Sequence, residues 1–109
     1  MILTNGFECR PVIFALPVSA GRMVLKSITL LNAYADENTA QRIELMTGAY
    51  ETGPWSSVLE FISTQTIEQQ SFDASSAGPV LSRFVKILVH DTYGINMCSW
   101  RREMCVHGA

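Results

Sequence analysis

Hydrophobic and polar residues alternate with a period of two along much of the chain, which is typical of β-strands that face a core on one side. The clearest case is segment 83–94, where Val85, Ile87 and Val89 share one face. The other face mixes apolar and polar residues, and the segment contains no proline before it ends at a Tyr-Gly pair. We therefore expect an interior strand whose Val85 and Ile87 side chains are almost wholly buried.

Six further segments show strand-like patterns: 10–16, 23–31, 41–47, 55–62, 64–72 and 97–106. Turn-forming residues separate the segments, and no stretch has a convincing helical period. About seven short strands in this arrangement predict an all-β protein, an antiparallel β-sandwich, forming a single domain over residues 1–109. Residues 1–9 are assigned no strand, because Asn5-Gly6 is a strong turn dipeptide.

The pattern also indicates which strands lie at the edges of the sheets. Pro11 cannot donate a backbone hydrogen bond, so segment 10–16 suits an edge. Segment 64–72 is more polar and is expected at an edge or facing solvent, and the charged face of residues 42–44 is expected to protect another edge. Three apolar residues near the start have no predicted partner strand and would pack either on the domain or on a neighbouring molecule: Ile2, Leu3 and Phe7.

The composition argues against several classes of protein. Only 17% of the residues are charged, below the quarter or so that is typical of soluble domains, which suggests that a partner covers some apolar surface. The net charge of −2 provides no electrostatic footprint for nucleic acid. The sequence also has no polybasic segment, apolar span or signal-peptide pattern. We therefore expect neither nucleic-acid binding nor membrane insertion.

The cysteines bear on the cellular compartment. There are three, an odd number, and no Asn-x-Ser/Thr glycosylation site accompanies them. Cys98 and Cys105 lie seven residues apart in one predicted strand, hence on opposite faces and roughly 23 Å apart at about 3.3 Å per residue. They cannot form a disulfide in that arrangement. We expect all three thiols to be reduced and the protein to be cytoplasmic.

The second half of the chain contains a characteristic succession of short sequence motifs. Residues 83–87 read Arg-Phe-Val-Lys-Ile; Tyr93-Gly94 follows, and a closing strand ends at His107-Gly108. With Trp55 opening a middle strand, this order resembles the discoidin-like, or galactose-binding-like, β-sandwich family over roughly residues 10–108. The resemblance implies a jelly-roll sandwich that binds a ligand or a partner.

Members of that family usually carry a further N-terminal segment, with an Asp-Gly pair followed by Thr and Trp, which builds a calcium site in many of them. Nothing before Arg10 matches it, so no calcium ligand carries over, and we expect a truncated or N-terminally reduced domain. The resemblance is then closest to small cytosolic subunits. These are the intraflagellar-transport discoidin-like subunit and the Doc-type subunit of the anaphase-promoting complex.

Candidate binding residues lie in two predicted loops. The first loop combines an aromatic ring with acidic and amide side chains: Tyr34, Asp36, Glu37 and Asn38. Such a set can bind an amine, a cation or a basic partner, and an ordinary solvated loop is the alternative. Tyr93 lies in the second loop, after His90-Asp91. Adjacent strand residues point to opposite faces, so we expect that pair to serve turn formation rather than acid–base catalysis.

The closing strand carries further candidates. Trp100 and Arg101 belong to the residue types enriched in interface hot spots; the alternatives are that Trp100 lines the core or a groove and that Arg101 pairs with Glu103. Cys105 and His107 share a face, but a structural zinc site needs four ligands and usually a cysteine knuckle, which the sequence lacks. Phosphate-loop, paired-carboxylate and catalytic-serine motifs are also missing. We therefore expect no catalytic residue, no metal and no cofactor.

Two functions of different classes fit these observations. The first is a non-enzymatic binding module that acts as a protein–protein interaction subunit of a larger assembly, with a homo-oligomer as one form of it. The alternative is a carbohydrate-binding module that uses loops at one end of the sandwich. That alternative needs exposed aromatic platforms beside Asn, Asp or Arg, and the aromatic residues available for it are Tyr34, Tyr50, Trp55 and Tyr93.

Overall fold

The computed structural model describes residues 2–8, 11–15, 23–77, 79–80, 83–94 and 99–108. Within these ranges the chain forms nine β-strands and one short 3-10 helix, Ser75–Ala77. The strands are β1 (Ile2–Glu8), β2 (Val12–Ala15), β3 (Met23–Asn32), β4 (Ala40–Gly48), β5 (Ser56–Ile62), β6 (Gln70–Asp73), β7 (Pro79–Val80), β8 (Phe84–Thr92) and β9 (Ser99–Gly108). The described residues include no helix that is long and apolar enough to cross a membrane.

The strands form two antiparallel sheets, which confirms the predicted β-sandwich. One sheet has the order β1-β9-β3-β6, with the short β7 also paired to β3. The other has the order β2-β8-β4-β5. β8, the strand expected in the interior, lies between β2 and β4 as predicted. β2 and β6 occupy the edges that the sequence assigned to them.

The core lies between the inward faces of the two sheets. Val85 and Ile87 are 5% and 2% exposed, as the alternation in their strand predicted. From the facing sheet, Ile28 and Leu30 on β3 are fully buried. The Phe61 and Phe72 rings, one from each sheet, lie with their centroids 4.5 Å apart, an aromatic contact within the favourable range. Other buried core residues are Leu25, Ala40, Ile43, Leu45, Ala74, Met104 and Val106.

The first residues of the chain form a strand that the sequence did not predict. Ile2–Glu8 pairs with β9 and forms the outer strand of the larger sheet, so this segment packs back on the domain. Asn5-Gly6 does not make a chain-reversing turn. The register shifts between Thr4 and Gly6 instead, which is how a strand accommodates an extra residue as a bulge.

Two predictions about the four-stranded sheet and its connection need correction. β4 lies between β8 and β5, so the charges at 42–44 do not protect an edge. Only Gln70–Asp73 of the predicted segment 64–72 is a strand. Before it, side chains satisfy the backbone locally: the Thr64 N–H donates to Gln70 Oε1 at 2.7 Å, and the Glu68 N–H donates to Thr66 Oγ1 at 3.1 Å. Such bonds compete with strand pairing.

Candidate functional site

Three loops meet at one end of the sandwich, because the strands they connect are antiparallel and end on the same side. They are the β3–β4 loop (33–39), the β5–β6 loop (63–69) and the described part of the β8–β9 loop (93–94). We call this surface the loop end. It brings together four of the predicted residues, Tyr34, Asp36, Glu37 and Asn38, with a fifth, Tyr93.

The 33–39 loop is ordered by its own hydrogen bonds. The Asn38 N–H donates to Asp36 Oδ1 at 2.9 Å, and the Thr39 N–H donates to the Asp36 carbonyl at 3.2 Å. The Thr39 hydroxyl donates to the Tyr34 carbonyl at 2.9 Å and accepts from the Asp36 N–H at 3.0 Å. These are turn contacts of the kind that Asp, Asn and Thr favour. The loop is therefore held in one conformation by residues that the sequence identified only as polar.

The neighbouring loops fix the position of this loop. The Gln65 side-chain amide donates to the Asp36 carbonyl at 2.7 Å, and the Tyr93 N–H donates to the Thr39 carbonyl at 3.1 Å. The Tyr93 hydroxyl donates to the Ser63 carbonyl. Gly94 packs so closely that an added Cβ would lie 2.9 Å from Glu37 Cβ. The loop end is thus a pre-formed surface, since three loops hold one another in place.

The side chains presented at the loop end combine an aromatic ring with polar groups. Tyr34 is 55% exposed, Asp36 and Glu37 are exposed in the same loop, and Asn38 is half-buried. Ile62 and Ile67, at and after the end of β5, are also largely exposed. An exposed ring beside carboxylate and amide groups offers an apolar face together with hydrogen-bond acceptors and donors.

Tyr93, Trp100 and Arg101 are placed differently from the other predicted residues. Tyr93 is half-buried and its hydroxyl holds two loops together, so it supports the loop end rather than presenting a free ring. Trp100 and Arg101 lie in β9, opposite Phe7 and Gly6 of β1. Their side chains, and the whole of Cys9 and Cys98, lie outside the described residues.

The residues weighed for catalysis or zinc have separate partners. His90 Nε2 lies 2.7 Å from Glu44 Oε1, whereas Asp91 Oδ1 accepts from the Arg42 N–H at 3.0 Å. The buried Cys105 thiol donates to Glu103 Oε1 at 2.9 Å, and this carboxylate is the main cause of a raised thiol pKa.

Asn32 contributes to the loop end in a way that the sequence analysis missed. It is buried at the end of β3, and its side-chain amide donates to the Thr66 carbonyl at 3.2 Å. Gln65 was missed as well. A polar residue at the end of an otherwise apolar strand was the available signal for Asn32, but only the fold shows that it supports the β5–β6 loop.

A second aromatic surface lies at the opposite end, in the β4–β5 connection. Tyr50 is 68% exposed there. Lys86 Nζ lies 5.5 Å from the centroid of the Trp55 ring, a cation–π contact. Gly53, at a φ of 83°, packs against the same ring. Trp55 is therefore engaged with the protein itself. In the described β4–β5 connection Tyr50 is followed by the exposed Glu51, and no side-chain amide accompanies them.

Solved structures resemble the chain over most of its length. The C-terminal domain of a chitobiase from Bacteroides fragilis has a TM-score of 0.65 at 19% identity, over 91% of this chain and 62% of that one. CBM32-1 from a family 31 glycoside hydrolase of Clostridium perfringens has a TM-score of 0.66 at 14% identity, over 95% and 72%. The family 32 CBM of C. perfringens NanJ, solved with galactose, has a TM-score of 0.61 at 14% identity, over 88% and 64%.

The chain has the discoidin-like, galactose-binding-like β-sandwich fold. No protein-family model matches the sequence, and no curated protein does. At 14–19% identity, these likenesses establish the galactose-binding-like fold alone. The chain spans 62–72% of the length of the three chains it matches.

Proposed function

We propose that this galactose-binding-like sandwich is a carbohydrate-binding module and that its ligand binds at the loop end. The observation that carries the proposal is that Tyr34 is exposed in the same short loop as Asp36, Glu37 and Asn38, and that the neighbouring loops hold this loop in place. This is the arrangement that the carbohydrate alternative required from the sequence. The proposed activity is binding rather than catalysis.

The chemistry of the surface suits a sugar. A pyranose presents an apolar C–H face and a rim of hydroxyl groups, so it is recognised by a ring that packs on the face and by side chains that bond to the rim. Tyr34 provides the ring, and the Asp36 and Asn38 side chains provide acceptors and donors at its side. Because internal hydrogen bonds already order the loop, little conformational entropy is lost on binding.

The structural neighbours support the same function. The NanJ module was solved in complex with galactose, and the CBM32 of AlyQ was solved with 4,5-unsaturated mannuronic acid. The AlyQ module has a TM-score of 0.58 at 15% identity over 97% of this chain. Their sugars differ, so the proposal for this chain stops at the class of ligand.

A glycan array followed by calorimetry with the best glycan tests the proposal. The wild-type chain is expected to bind, and Tyr34→Ala is expected to weaken binding about tenfold or more, which corresponds to about 1.4 kcal/mol. Tyr34→Phe keeps the ring and should retain most of the affinity. Tyr50→Ala is the matched control, because it removes an exposed tyrosine at the opposite end.

Two outcomes would contradict the proposal. Silence on the array at high protein concentration would remove carbohydrate binding as the function. Binding that Tyr50→Ala abolishes and Tyr34→Ala leaves intact would keep the function but move the site to the other end of the sandwich.

A protein-interaction role is the second candidate, and one observation favours it. Ile62 and Ile67 leave large apolar side chains exposed next to the polar loops, and apolar patches with polar rims mark interfaces between proteins. Pull-down with the wild-type chain and with Ile62→Ser and Ile67→Ser would test this role. The subunit role, its protein partner and the cytoplasmic location stay predictions.

A further inference from the structure

We propose that the outer face of the four-stranded sheet holds a site for a divalent transition metal, with zinc as the reference ion. Three potential ligands come from three adjacent strands: Glu44 on β4, Glu60 on β5 and His90 on β8. One donor atom from each lies within 4.8 Å of the other two. The site uses none of the residues proposed to bind carbohydrate, and the carbohydrate proposal does not depend on it.

The sheet itself brings these ligands together. Glu44 pairs with Glu60 across β4 and β5, and β8 flanks β4 on the other side, so neighbouring strands deliver one donor each to the same face. Donors bound to one zinc ion lie roughly 3.3 Å apart at metal–ligand distances of about 2.0–2.2 Å. The His90–Glu44 separation of 2.7 Å has only to widen slightly, while Glu60 moves inward.

The donor set and its surroundings favour a cation. Imidazole with two carboxylates suits zinc and its neighbours in the transition series. Glu44 and His90 are partly shielded, with side chains 12% and 27% exposed. Ser57 and His90 hydrogen-bond to the Glu44 carboxylate and hold it in place on this face of the sheet. Ser57 thereby also orients the carboxylate from the outer shell, as metal sites usually require.

The Arg42 guanidinium is the group that opposes a metal. Its Nε lies 3.5 Å from Glu60 Oε1 and 3.8 Å from Asp91 Oδ2, and all three side chains are about half exposed. Exposed ion pairs of this kind contribute little to stability. When Glu60 turns to the metal, Arg42 can remain paired with Asp91. Lys86, which shares a face of β8 with His90, is directed to the Trp55 ring instead of to the cluster. Three carboxylates against one guanidinium leave the cluster net negative.

The test uses the full chain, reduced and treated with EDTA, with zinc chloride titrated by calorimetry. We expect one zinc per chain and a melting temperature that rises with zinc concentration, because only the folded state assembles the site. Calcium should give no such response, since it takes oxygen ligands. Glu44→Gln, Glu60→Gln and His90→Gln should each weaken zinc binding at least tenfold. Ser57→Ala should weaken it about 10–100-fold.

Two matched variants control for adventitious binding. His107→Gln removes the only other histidine of the chain, which contacts Thr29 on the other sheet, and Glu51→Gln removes an exposed carboxylate from the β4–β5 connection. Both should bind zinc as the wild type does. Glu60 is exposed, so Glu60→Gln is expected to fold even if the Glu44 variant does not, and metal-free melts verify this.

Cobalt substitution checks the chemical identity of the ligands. Binding through His90 and the two carboxylates gives a cobalt spectrum without a thiolate-to-metal charge-transfer band. Such a band would show that cysteines hold the ion and would overturn the proposal. Undetectable binding at millimolar zinc would also overturn the proposal. Zinc affinity equal to that of the wild type in His90→Gln or Glu60→Gln would overturn it as well.

Discussion

Ile87 shows how a single side chain links sequence to stability in this fold. It is 2% exposed, in the interior strand β8, and faces the second sheet across the core. The period-two alternation was enough to predict its burial, because in a sandwich one face of each strand must be covered. The role of Glu44 was not predictable in this way, since its contact with His90 joins residues that are 46 positions apart.

The first prediction at this scale concerns the core. Ile87→Ala is expected to lower the free energy of unfolding by about 2–5 kcal/mol, from lost burial and the cavity left behind. Urea denaturation measures it. Ile13→Ala is the control, because Ile13 lies on the neighbouring strand β2 with its side chain 40% exposed, and its cost should be well below that of Ile87→Ala. Equal costs for the two variants would show that Ile87 does not face the core.

The second prediction concerns Cys105. The Glu103 carboxylate and burial raise the thiol pKa above its ordinary value of 9.0, so the folded protein contains less reactive thiolate than the unfolded chain as the pH approaches 9. Alkylation of native Cys105 should therefore be slow, and Glu103→Gln should speed it. Peptide mapping by mass spectrometry follows this cysteine separately from the other two.

A further prediction, made from the sequence, is that all three cysteines are reduced. Under denaturing, non-reducing conditions all three cysteines are expected to be alkylated. Cys105 is a free thiol in the structure. Modification at one site alone would reveal a disulfide between the other two cysteines, and the inferred compartment would then be wrong.

At the scale of the element, strands were more predictable than their connections. The bounds of β3, β4, β5 and β8 lie within two residues of the predicted ones, because their apolar alternation is strong. β1 and the start of β6 were not predicted. β1 contains a turn dipeptide that the structure accommodates through a register shift, and the residues before β6 bond to side chains nearby. Local preference and long-range pairing disagree in both places, and a sequence alone does not show which prevails.

Gly94 gives the prediction for the loop end. A methyl group there would meet Glu37 at 2.9 Å from its Cβ and 3.0 Å from its carbonyl oxygen, so Gly94→Ala should push the 33–39 loop away from the β8–β9 loop. We expect a loss of about 1–3 kcal/mol in unfolding free energy, as for other overpacked sites, together with weaker glycan binding. Ala35→Ser, at an exposed position in the displaced loop, should change neither quantity. Gly94→Ala with unchanged stability and affinity would show that the loops do not depend on this contact.

At the scale of the whole molecule, the low charge and exposed apolar residues bear on association. Ile62 is the last residue of β5, which is the outermost strand of its sheet among the described strands, and the exposed Ile67 follows in the β5–β6 loop. Edge strands invite pairing with another chain. The sequence-based hypothesis of self-association, or of marginal stability until a partner binds, therefore stands as a prediction. The structure has removed one reason for it, because Ile2–Glu8 is paired with β9 rather than left over.

Sedimentation velocity over a range of protein concentrations tests the hypothesis of self-association. We expect the weight-average sedimentation coefficient to rise with concentration, and Ile62→Lys to reduce the rise by placing a charge beside the β5 edge. A monomer at every concentration, with a cooperative melt that does not depend on concentration, would contradict the hypothesis.

The pairing of β1 with β9 also has a consequence for biosynthesis. Glu8 pairs with Ser99, and at about 5–20 residues per second the ribosome makes the second residue roughly 5–20 s after the first. For that interval the backbone of β1 has no partner from its own sheet, since β9 is its only neighbour among the described strands. The larger sheet can therefore close only after translation of β9. During this interval β1 is an unpaired strand of the nascent chain, which a chaperone or a neighbouring nascent chain can reach first.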